Sequence, residues 1–418
     1  MTVTNLLLLL LKQIMPNKST ANHTPEKKRQ LNLDVIRGTA LLGILIMNIQ
    51  SFSMISSAYS NPLSFGDFSG LNKTIYYFSH IFADQKFMTI FSILFGASIL
   101  LVASGNEAKG LNAFKMHYRR MVILACIGLL HLYCLWYGDI LFMYAVMGML
   151  AYPARNKTAK FMLITASILL MINAAVYYTA TEAMPYMSQA DIQELATDWV
   201  PSSEAIEEEI FANQSNWIAQ TSYRTQMATE MLFSGTFYYC RVLALMLIGM
   251  AMIKLNFFGE RFNNKSLLMQ AIFCSLLGVF LILNRLNYNI FNNFPLSAMF
   301  DQENYWGSLM MGYAYICLII VFCRFKVLNR VKSYLSQVGR LALTNYLVQT
   351  IICTFIFYGW GLGKFGTFER KDQLLLVICI WVFQILFSVR WMKTFRVGPF
   401  EWLWRSLTYG SVQNIKKT

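Results

Sequence analysis

Apolar residues in this chain run in long stretches broken by short polar loops, the pattern of helices that cross a bilayer. A span of about 20 apolar residues covers ~30 Å of hydrocarbon. Stretches of that length or close to it lie at 35–54, 87–104, 120–137, 139–153, 160–179, 236–254, 266–284, 305–323, 341–359 and 373–390. They predict an all-α, polytopic membrane bundle of about ten transmembrane helices. Residues 1–32 form a polar, basic cytoplasmic tail after the run Leu6 to Leu11, with Pro16 and Pro25 opposing a continuous helix. Five spans make an N-terminal membrane half, 33–180, and five more a C-terminal half, 233–410. Between them lies an acidic loop, 181–232, whose stretch Ser202 to Phe211 has a helix-start pattern but is expected to serve as a solvated spacer. The closing segment Phe395 to Tyr409 breaks at Gly398-Pro399 and is rich in tryptophan, as an interfacial tail helix would be.

Composition agrees: 56% of residues are apolar and 13% charged, which excludes one or two soluble domains. The net charge of +14 does not point to nucleic acid, because lysine and arginine are not gathered in one patch. They occupy every second loop, in clusters such as Lys109/Lys115/Arg119/Arg120, Arg155/Lys157/Lys160 and Arg324/Lys326/Arg330/Lys332. Positive loops stay in the cytoplasm, so both termini are expected there, in a multi-pass membrane protein. The opposite loops are poor in lysine and arginine, and the longest carries Glu182, Asp191, Glu194, Asp198, Glu204, Glu207, Glu208, Glu209 and Glu230 against Arg224 alone. The eight cysteines form no C-x-x-C pair and no metal-ligand spacing, so no metal is expected.

Charged groups inside the spans carry the candidate chemistry. Arg37 sits in the apolar stretch Leu33 to Met54, where a guanidinium costs ~2.5–3.5 kcal/mol, with Asp34 one turn earlier. Asn48 follows Arg37 about three turns, ~16 Å, along nearly the same face. His131 in the third span is the general-base candidate, since imidazole is the side chain suited to moving protons near neutral pH. Asp139 orients it only if the chain bends at Gly138. His80, near Asp84 and Lys86, ranks below it. Arg241 in the sixth span is a further anion-binding candidate. At the ninth span, Arg340, Thr344, Asn345 and Gln349 make a polar stripe entering the membrane, and with Arg37 and Arg405 it suits phosphate groups. No phosphate-binding glycine loop, G-x-S-x-G or H-E-x-x-H motif occurs.

The stretches Leu33-Asp34-Val-Ile-Arg37-Gly38 through Asn48, Lys86 to Gly96, Gly138-Asp139 to Tyr144, Gly339-Arg340 to Gln349, and Gly398-Pro399-Phe-Glu401-Trp402-Leu-Trp404-Arg405 resemble the YeiB-like family of bacterial inner-membrane proteins. That family carries domain of unknown function 418 in its C-terminal half, and the resemblance covers about residues 30–410. The opening motif is also similar to that of the transmembrane acyltransferase superfamily. In the bacterial acyltransferase-three proteins a histidine stands where this chain has Asn48. In heparan-alpha-glucosaminide N-acetyltransferase an asparagine stands there, and the active histidine precedes the second span, the region of His80. The resemblance implies acyl transfer from cytoplasmic acyl-CoA, with no permanently bound cofactor, to an extracytoplasmic glycan or lipid-linked acceptor. His131, Asp139 and Asn48 would then be catalytic, and Asp34, Arg37, Arg241, Arg340, Asn345, Glu401 and Arg405 would bind substrate. The alternative is a transporter, or transport-associated protein, for a small anionic solute using the same residues. Neither the sequence nor the resemblance fixes the oligomeric state.

Overall fold

The computed structural model describes residues 25–234 and 236–417, so the Leu6 to Leu11 run and Pro16 lie outside the described residues. Every expected span falls on a helix, and among the described residues there is no strand. The helices are α1 (Pro25–Ser53), α2 (Gly70–Phe82), α3 (Lys86–Glu107), α4 (Ala113–Cys134), α5 (Leu141–Ala151), α6 (Ala159–Ala183), α7 (Gln189–Trp199), α8 (Ser203–Gln214) and α9 (Gln220–Ser234). There follow α10 (Thr236–Lys254), α11 (Asn264–Phe291), α12 (Gln302–Arg324), α13 (Asn329–Arg340), α14 (Ala342–Phe357), α15 (Arg370–Thr394) and α16 (Pro399–Tyr409). Among the described residues, six helices are long and apolar enough to cross a membrane, or up to eight if two bent pairs each count as one span. The expected fourth span is only the 11-residue α5, ~16 Å long and too short to cross alone. Among the described residues α1 already runs from Pro25, inside what the sequence suggested was tail.

Burial sorts the helices by what they carry. The window of α1 is 72% buried, against 22% for α11 and α15, so the helix bearing Asp34 and Arg37 stands at the centre. On α11, Met269, Ile272, Phe273, Leu276 and Phe280 repeat every three to four residues and are all exposed, an apolar stripe suited to lipid.

The centre is assembled through glycines. At Gly38 of α1 a Cβ would collide with the Leu335 carbonyl of α13, and at Gly339 of α13 with the Asp34 carbonyl of α1. These two helices touch backbone to backbone. Gly96 of α3 and Gly249 of α10 repeat the device against the carbonyls of Met246 and Ile93. In a bilayer, where hydrocarbon outside matches hydrocarbon inside, close backbone approach is a main source of helix attraction.

The acidic loop is not a solvated spacer. Ser202 caps α8 by accepting from the Ala205 amide, and α7 to α9 dock on the bundle's acidic end. Trp199 donates its indole N–H to Phe294 O at 2.8 Å, Gln214 donates to Phe365 O at 2.8 Å, and Glu209 accepts from the Ser56 amide at 2.9 Å. Burial raises the pKa of the Glu209 carboxyl above its ordinary value. Apolar residues at 206 and 210 of α8 pack on the bundle, which explains why an acid-rich segment is held down.

Replacing Gly339 by leucine is expected to destabilise the purified protein by at least ~1–3 kcal/mol, because a side chain there has only backbone to displace. A fall in the thermal unfolding midpoint in detergent measures it; an unchanged midpoint would rule out the backbone contact.

Candidate functional site

The crossing of α1 and α13 puts Arg37 and Arg340 at the rim of one cavity of about 450 Å³. On α1 it is lined by Gln30, Leu33, Asp34, Arg37, Leu41 and Ile44, one helical face. Arg120, Glu401 and Arg405 join the rim, while Phe91, Leu94, Phe95, Leu124, Leu141 and Leu343 make an apolar shaft below it. An adjoining space of about 310 Å³ shares Asp34, Arg37, Arg340 and Arg405 and adds Arg396. Five guanidinium groups therefore face two carboxylates. The Arg37 guanidinium donates to Asp34 at 3.1 Å and Arg340 donates to Arg396 O at 3.0 Å. Arg405 is exposed and has no hydrogen-bond partner among the described residues.

The chain breaks by 79° between α13 and α14, which frees amides at the start of α14. Glu401 takes them: it accepts from Thr344 N at 3.0 Å and from Thr344 Oγ1 at 2.5 Å, a carboxylate placed at a helix N-terminus. The same bonds fasten α16 beneath the bundle. A second clamp joins α16 to α4, where Trp404 donates to Arg120 O at 2.9 Å and the Arg120 guanidinium lies 4.1 Å from the Trp404 ring centre.

The break also divides the expected polar stripe. Arg340 reaches the cavity, but Asn345 and Gln349 do not line it. Asn345 is fully buried and donates to Ser388 Oγ at 3.0 Å, and Gln349 donates to Gln384 Oε1 at 2.9 Å. They tie α14 to α15, so Asn345 is a packing residue and not a rim residue.

His131 and Asp139 stand together as a pair behind the cavity floor. The helix α4 ends at Cys134, the chain reverses, and His131 Nδ1 lies 2.9 Å from Asp139 Oδ1, with both side chains 1% exposed. On its other side His131 Nε2 is 2.9 Å from Thr350 Oγ1. Asp139 also accepts from the Phe142 amide at 2.7 Å, which caps α5 and fixes the carboxylate. Floor residues Ile140 and Tyr346 separate the pair from the shaft, and the Tyr346 ring centre is 5.2 Å from that of His131.

Two expected residues stand elsewhere. Asn48 is half-buried and is absent from the cavity lining; it continues the α1 stripe one turn beyond Ile44, past the floor. Arg241 lies at the acidic end, 1% exposed, donating to Gln85, to Thr89 Oγ1 at 3.2 Å and to Ser308 Oγ at 2.7 Å. Near it are His80, Asp84 and Lys86. Arg120, Arg396, Trp404 and Tyr346 were not legible as site residues. In sequence the two arginines were ordinary positive-loop residues, and Trp404 meets Arg120 from 284 positions away.

Residues 252–411 match the family model described as "Protein of unknown function (DUF418)". The chain is 29% identical over 399 residues to "Uncharacterized protein YeiB" of Escherichia coli (strain K12), covering 91% of this chain and 96% of that one. The chain is thus similar to the YeiB-like proteins over most of its length. It is also 28% identical over 404 residues to "Uncharacterized protein YxaH" of Bacillus subtilis (strain 168), covering 92% and 95%. The similarity to these relatives runs over nearly the whole length of the chain. Their names specify no reaction, so the chemistry is argued from the site itself.

Glu401, outside the spans, has its pKa raised by burial against the opposing pull of the Thr344 bonds. A carboxyl raised on folding binds its proton more tightly in the native state, so its contribution to stability is greatest in acid. That contribution declines as pH rises from the ordinary carboxyl value through the raised one. Glu401→Gln is expected to flatten this part of a plot of unfolding midpoint against pH, and an unchanged slope would show that Glu401 is not the group responsible.

Proposed function

We propose that this protein is a membrane-embedded acyltransferase that takes an acyl group from acyl-CoA at its basic, cytoplasmic end. The acceptor is a hydroxyl or amine presented at the acidic end, on a glycan or lipid-linked glycan outside a bacterial inner membrane. One observation carries the reading: a single cavity joins an arginine rim to an apolar shaft that stops one residue layer short of a buried histidine–carboxylate pair.

Arg37, Arg340 and Arg405 would hold the phosphates of the donor, since guanidinium forks match phosphate oxygens. The pantetheine arm and acyl group would lie along Leu41, Ile44 and Phe95. Transfer requires Tyr346 to swing from the floor and admit the thioester to His131. His131 then accepts the proton of the acceptor as its oxygen or nitrogen bonds to the acyl carbon; the C–S bond breaks and the thiol leaves with that proton. Asp139 keeps the imidazole oriented and stabilises its charged form.

Arg37→Gln is expected to weaken binding of a labelled acyl-CoA to the purified protein by about tenfold or more, on the scale of one lost charge-assisted contact. His131→Ala is expected to retain binding and lose transfer to a panel of glycan acceptors. An absence of acyl-CoA binding in the unaltered protein overturns the proposal. So does uptake of a small anion into proteoliposomes without acyl donor and with no transfer, which would assign the cavity to transport.

A further inference from the structure

At the acidic end, outside the arginine-lined cavity, a second and much smaller cavity of about 100 Å³ is lined by α2, α6, α11, α12 and the turns after α1 and before α3 and α12. Its wall carries Asp84, Asp301 and Asn289 together with the rings of Tyr76, Tyr177 and Tyr305. Besides Gln85 and Asn304, whose side-chain oxygens accept from Arg241 and Lys86, three lining residues carry acceptor oxygens with capacity to spare. Asn289 is 4% exposed and its Oδ1 has no hydrogen-bond partner among the described residues, which leaves a buried acceptor open to a donor. Asp301 spends Oδ1 on the Asn304 amide at 2.7 Å, capping α12, while Oδ2 has only the His80 ring, 3.8 Å away. Asp84 accepts from Tyr59 at 3.0 Å and Asn304 at 2.5 Å, and stands 3.7 Å from the other nitrogen of His80. The imidazole thus lies between two carboxylates and is at bonding distance from neither.

Two cations lie behind this wall, and each is already occupied. Lys86 donates to His80 O at 2.6 Å and to Asn304 Oδ1 at 2.9 Å, and Arg241 is taken up by Gln85, Thr89 and Ser308. Among the described residues neither cation forms an ion pair with Asp84 or Asp301, so the carboxylates keep free lone pairs. Ser60, exposed at the rim, opens the cavity toward the face on which the acidic helices α7 to α9 sit, and that face draws cations by its field.

We propose that this cavity binds a primary ammonium group. Such a group has three N–H donors and no acceptor, matching Asp84, Asp301 and Asn289 one for one, and its charge is favoured by the tyrosine faces around it. The volume admits a small amine or the terminus of a larger one, and a quaternary head, which has no N–H, could donate to none of the three oxygens. The site is independent of acyl transfer: nothing in its geometry requires the arginine cavity to be filled.

The test is calorimetric titration of the full-length protein in detergent with methylammonium chloride, with tetramethylammonium and sodium chloride as controls. Saturable binding of methylammonium alone is expected. Asp301→Asn keeps an oxygen that can cap α12 and removes the charge, so binding should fall at least tenfold in protein that still elutes as a single species. Asn289→Leu should weaken binding several-fold, and Asn289→Asp should strengthen it. The proposal is overturned if methylammonium shows no saturable heat, if tetramethylammonium binds equally, or if both Asp301→Asn and Asn289→Leu leave the affinity unchanged.

Discussion

The contact of α1 with α13 through Gly38 and Gly339 is the constraint from which the rest of the interior follows. Each glycine leaves room for a carbonyl of the other helix, so the two backbones meet with nothing between them. Because Arg37 adjoins Gly38 and Arg340 adjoins Gly339, the helix crossing also brings both arginines to the wall of one cavity. Like charges held together by packing need an anion or a neighbouring carboxylate. Asp34 answers Arg37 in part, and the remaining positive charge faces the cavity.

The bend after α13 has the complementary role. A straight helix from 329 to 357 would carry Arg340 and Asn345 along one continuous rod. The 79° turn instead lets α13, strongly amphipathic, lie across the basic end while α14 descends into the bundle. Glu401 meets the amide exposed by that turn, which brings the tryptophan-bearing α16 against the rim. One broken helix thereby recruits the tail of the chain as part of the cavity wall.

The two ends of the molecule are electrostatically opposite, and each has a polar interior site of matching character. Guanidinium groups outnumber carboxylates around the large cavity at the basic end. Acceptor oxygens face the small cavity at the acidic end, under a cover of acid-rich helices. The His131–Asp139 pair lies between, covered from the acidic side: Arg224 donates to Tyr133 O at 2.7 Å and Trp217 to Cys134 O at 2.8 Å, closing α9 over the turn that joins the pair.

Hydrophobic run length and loop charge were enough to specify a helical membrane bundle, because a bilayer demands ~20 apolar residues per crossing wherever those residues come from. The same local logic singled out Asp34, Arg37, Arg340 and Arg405, since a charge in or beside an apolar run is visible in the run itself, while Glu401 entered only through the family resemblance. That Arg37, Arg340 and Arg405 share a depth was expected, but the contact that joins them was not visible: it depends on two glycines 301 positions apart in the chain and on a carbonyl of each opposing helix. Nor did periodicity show that Asn345 would turn inward to Ser388, that Arg241 would stand at the other end of the molecule, or that an acid-rich loop would dock through Trp199 and Glu209. Sequence alone determined which residues must be buried in lipid or protein, because burial is a property of composition. Only the tertiary structure decided which of them meet, because a contact is made by helices whose crossing angle and depth no single helix contains.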